Sequence, residues 1–145
     1  MTGRSVAALL VCFLPAFADI SGEAVYQRDC AACHERFVPT ELLMRNFFEE
    51  RNGLLRLKAP TINQLSFRIK QQVGDPGGDR EFHRMEVVEF IKDYVTRPDK
   101  QKSVCIPAVL ELFDTMPGME GKISETDLEA VAEWIYSSDM KEEKE

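Results

Sequence analysis

Residues 30–34 read Cys30-Ala31-Ala32-Cys33-His34. This C-x-x-C-H spacing is the one used for covalent attachment of c-type haem. Two thiols three residues apart near a helix end can each add across one of the haem's two vinyl groups, giving thioethers. The adjacent His34 then lies under the iron and offers its imidazole as the proximal ligand. Two rival chemistries use the same residue types. A thioredoxin-like redox pair wants a βαβ setting, and the surrounding pattern has none. A zinc site wants two further ligands at matching spacing, and the chain offers only Cys105 and His83, each in isolation.

The residues upstream bear on which chemistry applies. Residues 1–18 read MTGRSVAALLVCFLPAFA. Arg4 is a positive n-region, Val6–Leu14 a short apolar h-region, and Ala16-Phe17-Ala18 an A-x-A cleavage site. Residues 1–18 are therefore expected to be a cleaved signal peptide, and 19–145 a single domain. Cys12 leaves with the signal, and the bulky Val11 before it argues against a lipid anchor. Export leaves Cys30, Cys33 and Cys105, an odd number that disulfide pairing alone cannot satisfy.

Composition agrees with one soluble domain. The 145 residues are 44% hydrophobic and 30% charged, enough for one core and too few for two. The net charge of −7 disfavours nucleic acid, whose phosphates need clustered cations. Two His exclude a multi-histidine metal site. No apolar run approaches the ~20 residues of a membrane span.

The remaining pattern is helical throughout, with no alternating strand and no internal repeat. Ser21–Cys33 places Gly22, Val25, Tyr26, Cys30 and Cys33 near one face. Phe37–Leu57 is strongly apolar and reads as an additional helix. Thr61–Val73 follows Pro60, with Thr61 and Gln64 spaced as a capping box. Gly74–Asp79 is a loop. Val87, Phe90, Ile91, Tyr94 and Val95 form a helical stripe ended by Pro98. Pro107 opens a short helix through Phe113. The last helix starts at Ser124, with Asp127 as cap partner and Leu128, Val131, Ala132 and Ile135 as its stripe. The charged tail, about 139–145, is expected to fray.

In this order the residues resemble the class I c-type cytochromes, small exported all-α proteins around one haem. Gly22 and Tyr26 match that family's Gly and aromatic on the N-terminal helix. Cys30, Cys33 and His34 match its haem motif, and Met116-Pro117 its distal Met-Pro. Leu128–Tyr136, with Trp134, matches the C-terminal helix that crosses the N-terminal one. The resemblance implies one covalent haem c, six-coordinate iron and outer-sphere electron transfer. Met116 is the implied distal ligand, with Met119 and His83 as the alternatives. Met44, Met85 and Met140 read as core filler, and His83, apart from ligation, as a surface or cap histidine.

A ligating His usually donates its second ring N–H to a carbonyl. In the family that carbonyl belongs to a Pro after the motif. Pro60 matches it, with Ala59 in place of the family's Gly and at a longer spacing; Pro39 competes. The excess length is the Phe37–Leu57 insert, expected to cover haem edge and core, or else to dock a partner through Phe47 or Phe48. Cys105, between apolar neighbours, reads as a buried inert thiol. The function expected is a periplasmic electron carrier between redox proteins, not an enzyme. The alternatives are a gas-binding or sensor module with a displaceable Met, and an electron-transfer subunit of a larger oxidoreductase.

Overall fold

A computed structural model describes residues 20–138. The signal segment with Cys12 and the tail with Met140 lie outside the described residues. Those described form six α-helices and no strand: α1 Gly22–Asp29, α2 Thr40–Met44, α3 Ile62–Gln72, α4 Arg80–Thr96, α5 Pro107–Leu110 and α6 Glu125–Ser137. None is long and apolar enough to cross a membrane.

Three helices begin on oxygen-bearing side chains. Ser21 Oγ accepts from Ala24 N at 3.2 Å, Asp79 Oδ1 from Phe82 N at 2.9 Å, and Ser124 Oγ from Asp127 N at 3.1 Å. Each satisfies an N–H that a helix start leaves unpaired. The expected Thr61–Gln64 capping box does not form. Thr61 Oγ1 instead donates to Asn63 Oδ1 at 2.7 Å, and Gln64 Oε1 is buried without a partner. The Asp127 carboxylate turns outward to Arg28, 2.8 Å away.

The last helix is the hub. α6 packs against α1, α3 and α4. Their stripes bury Val25 and Tyr26 from α1, Ile62 and Ile69 from α3, and Val87, Val88 and Ile91 from α4. Against these lie Val131, Ala132 and Ile135 of α6. Such burial contributes about 1.5–3 kcal/mol per large apolar side chain. α1 and α6 approach closely at Gly22, where a Cβ would lie 2.1 Å from the Ala130 carbonyl oxygen and 2.3 Å from Trp134 Cβ. That proximity lets the Tyr26 and Trp134 rings stack, with centroids 4.7 Å apart.

The 37–57 insert departs from the expected helix. α2 runs into a π-helical turn, Arg45–Glu49, and the chain then leaves helical geometry. Two asparagines explain the stop. Asn46, fully buried, accepts from Leu55 N at 2.8 Å and donates Nδ2 to Asn52 Oδ1 at 2.9 Å. Asn52 also accepts from Leu57 N and donates to the Leu57 carbonyl. These bonds hold Arg51, Asn52 and Arg56 at positive φ, of 47°, 65° and 50°. Such backbone costs on the order of 1 kcal/mol per residue or more for non-glycine types. The insert builds a second apolar cluster of Leu43 and Phe47 with Val109 of α5 and Phe113 just beyond it.

Asn46→Ala is expected to strand the Leu55 N–H and lower stability by about 1–3 kcal/mol. Amide exchange should quicken at Leu55 and Leu57 while the α1, α4 and α6 amides keep their protection. Exchange rates unchanged at Leu55 would show that Asn46 does not hold the loop.

Candidate functional site

The C-x-x-C-H segment is a compact turn at the end of α1. The N–H groups of Cys30 and Ala31 both donate to the Tyr26 carbonyl, and those of Cys33 and His34 to the Cys30 carbonyl at 3.1 and 3.0 Å. The helix therefore ends at Asp29, with Cys30 as its C-cap, rather than running to Cys33. Both thiols are free; Cys33 is exposed and Cys30 half-buried. Burial pushes the Cys30 thiol up to about 11, so it is protonated at neutral pH. It lacks the low pKa of an exchanging redox pair. Cys105 is also free and half-buried, and burial raises its thiol too. No three His, Cys, Asp or Glu side chains gather as a metal cluster among the described residues.

His34 is held from two sides. Its Nδ1–H donates to the Pro60 carbonyl at 2.7 Å, across 26 residues of chain. Its backbone carbonyl accepts from the Tyr26 hydroxyl at 2.8 Å. Desolvation lowers the pKa of the ring, opposed by the Pro60 bond, so the imidazole is neutral at pH 7. With Nδ1 carrying the proton, Nε2 carries the lone pair. A carbonyl on the other ring nitrogen also raises the basicity of a ligating imidazole.

Pro60 is fixed in place by a clamp that pattern reading did not find. Ile62 N donates to the Glu35 carbonyl at 2.9 Å and Asn63 N to the Arg36 carbonyl at 3.1 Å. Asn63 Nδ2 donates to the Val38 carbonyl, and its Oδ1 accepts from Val38 N and Thr61 Oγ1. The start of α3 is thereby tied to the chain just after His34, and the insert loops out between them. Asn63 and Thr61 are fully buried. Nothing in the sequence sets them apart, since Gln64 and Ser66 in the same helix start are polar as well. Pro39, the rival to Pro60, instead caps α2.

The Met116 loop is tied to α4. Met119 N donates to the Val95 carbonyl at 3.0 Å and Glu120 N to the Thr96 carbonyl at 3.3 Å. Gly118 permits this approach, since a Cβ there would lie 2.8 Å from the Thr96 oxygen. Met116 and Met119 are both half-buried. His83 is not a surface residue: it is 8% exposed, faces Tyr136 edge-on and donates Nε2–H to the Val73 carbonyl at 3.1 Å. In that arrangement Nε2 has no lone pair to offer a metal. Met44 and Met85 are not core filler but are about half exposed, at 53% and 52%.

The chain is 37% identical over 116 residues to an uncharacterized protein of Aquifex aeolicus (strain VF5), a match spanning 79% of this chain and 71% of that one. The chain belongs to the family of that protein. Membership brings a shared fold and no assigned activity. No family profile matches the chain, and no solved structure matches it.

Proposed function

We propose that this protein is an exported monohaem c-type cytochrome that carries electrons between redox proteins. One observation carries the reading. A neutral His34, its Nδ1–H on the Pro60 carbonyl, presents Nε2 directly after two free thiols spaced for thioethers. The donor set fits the group. One imidazole, two thiols and a half-buried methionine are what covalent six-coordinate haem needs. A zinc site would need further ligands gathered beside the motif, and none gathers there among the described residues.

When bound, haem supplies reversible one-electron chemistry at its iron. The residues supply the rest. Cys30 and Cys33 would tether the group, and His34 and Met116 would supply its ligands. Tyr26 and Pro60 hold His34 from two directions, which limits rearrangement when charge changes.

Intact mass tests the reading. After expression with a haem-attachment system in an exporting host, the protein is expected to weigh residues 19–145 plus one haem. The haem should survive acid–acetone extraction, and Cys30→Ala/Cys33→Ala should abolish its retention. A mass equal to the bare polypeptide, or colour lost on extraction, refutes it.

A further inference from the structure

The insert carries features that neither core packing nor cofactor ligation uses. Met44, Phe48 and Leu54 are 53%, 46% and 43% exposed, whereas Phe47, beside Phe48, is buried against Phe113. Residues 44–58 hold Arg45, Arg51, Arg56 and Lys58 against two anions, Glu49 and Glu50, with Glu41 just before them, in a chain of net charge −7. Many cations elsewhere are neutralised by ion pairs. Arg28 pairs with Asp29 and Asp127, Arg84 with Glu81 and Glu133, Lys92 with Glu89, Glu125 and Glu129. Arg45, Arg51 and Arg56 are exposed and make no ion pair among the described residues. Arg51 and Arg56 sit at positive φ, fixed there by the Asn46–Asn52 bonds. Lys58 Nζ donates to the Ala32 carbonyl at 3.2 Å, inside the C-x-x-C-H turn. The loop thus lies against the segment that would tether the cofactor.

We propose that this loop is the docking surface for an electron-exchange partner, and that the partner presents an acidic rim around an apolar centre. The inference rests on the carrier reading and adds where exchange occurs and what chemistry recognises it. Unpaired cations around exposed apolar side chains favour encounter with the opposite charge and then hold the contact. A rigid loop loses little entropy on docking. Charge decides the occupant. A second copy would bring its own net −7 but also the same cations in any symmetric contact. An anionic lipid surface is extended and would also face the acidic remainder of the chain, whereas an acidic rim on one protein need face only the loop.

The test uses the matured full chain, with reduced flavodoxin as an acidic protein donor and hexaammineruthenium(II) as a small cationic one. Reduction by flavodoxin is expected to slow as ionic strength rises, against the sign that the net charge predicts. Arg51→Glu/Arg56→Glu should slow it about tenfold or more at low salt and flatten or invert the salt dependence. It should leave the ruthenium rate equal or faster. The same charge change placed elsewhere, Arg80→Glu/Lys100→Glu, should have a much smaller effect. Phe48→Ser should slow the protein donor and spare the small one. A wild-type rate that climbs with salt, or equal slowing by the two double variants, overturns the proposal. So does co-sedimentation with phosphatidylglycerol vesicles that Arg51→Glu/Arg56→Glu abolishes, which would assign the loop to lipid. A chain lacking a Soret band overturns the carrier reading as well, before any rate is measured.

Discussion

Gly22→Ala is expected to be among the most damaging single-methyl additions in the protein. The added carbon would lie 2.1 Å from a backbone oxygen, that of Ala130, and 2.3 Å from Trp134 Cβ. Neither neighbour is the end of a flexible side chain, so one helix must move. Moving α1 away from α6 opens the Tyr26–Trp134 stack and loosens Val25 and Val131, both fully buried. Overpacking a core costs about 1–3 kcal/mol and occasionally more. Because a backbone is struck here, the expected loss is at or above the top of that range. Against a total stability of about 5–15 kcal/mol for a domain, that is a large share. A denaturant midpoint lowered with unchanged slope would report it, and a midpoint within error of wild type would show that α1 and α6 do not meet at Gly22.

The buried faces of α1 and α6 were legible because their signals are local and periodic, and the resemblance to class I cytochromes implied that the two helices cross. Stripes at helical spacing on 21–33 and 124–136 mark the buried faces, and Gly22 falls where close approach needs it. The same holds for α4, capped by Asp79 and ended at Thr96 before Pro98. The insert was not legible. Its apolar content is high enough for a helix, but Asn46 and Asn52 compete for backbone groups and turn the chain at positive φ. Competition of that kind leaves no period to read. Nor could periodicity separate buried Phe47 from exposed Phe48, adjacent on a turn whose π geometry shifts the phase. His83 departs from its expected surface position for a related reason. The polar loop before it points to a surface, whereas the carbonyl that satisfies it belongs to Val73, ten residues earlier in the chain. At the candidate site the motif and the Pro60 contact could be anticipated, since they rest on specific residue types. The Tyr26 hydroxyl bond to His34 and the Asn63 clamp could not, because each joins groups brought together only by the fold.

Met116 supplies the second large expected effect. A thioether is a soft neutral donor that favours Fe(II), so its loss should lower the potential. Pro117 lacks an N–H and fixes its own φ, which stiffens the chain just after Met116. Two residues on, Met119 N is anchored to the Val95 carbonyl, and Gly118 lies close against Thr96. The loop is thus fixed on one side of Met116, which suits a ligand whose bond to Fe(III) is weak. If Met116 ligates, the oxidised protein should show the weak far-red band of an iron–thioether bond. Met116→Ala should abolish that band, open the reduced iron to CO, and lower the potential by on the order of 0.1 V, within the ~0.8 V that axial ligands span. Met119→Ala should leave all three readouts near wild type. His83→Ala should cost stability, because its ring is buried against Tyr136, yet keep the band. Loss of the band in Met119→Ala instead would move ligation by three residues and preserve the carrier reading. A wild-type protein that lacks the band and binds CO readily would replace that reading with gas binding. The reason is physical: an iron with an open or easily vacated site reorganises at each electron transfer, and a site that reorganises is suited to capture a ligand.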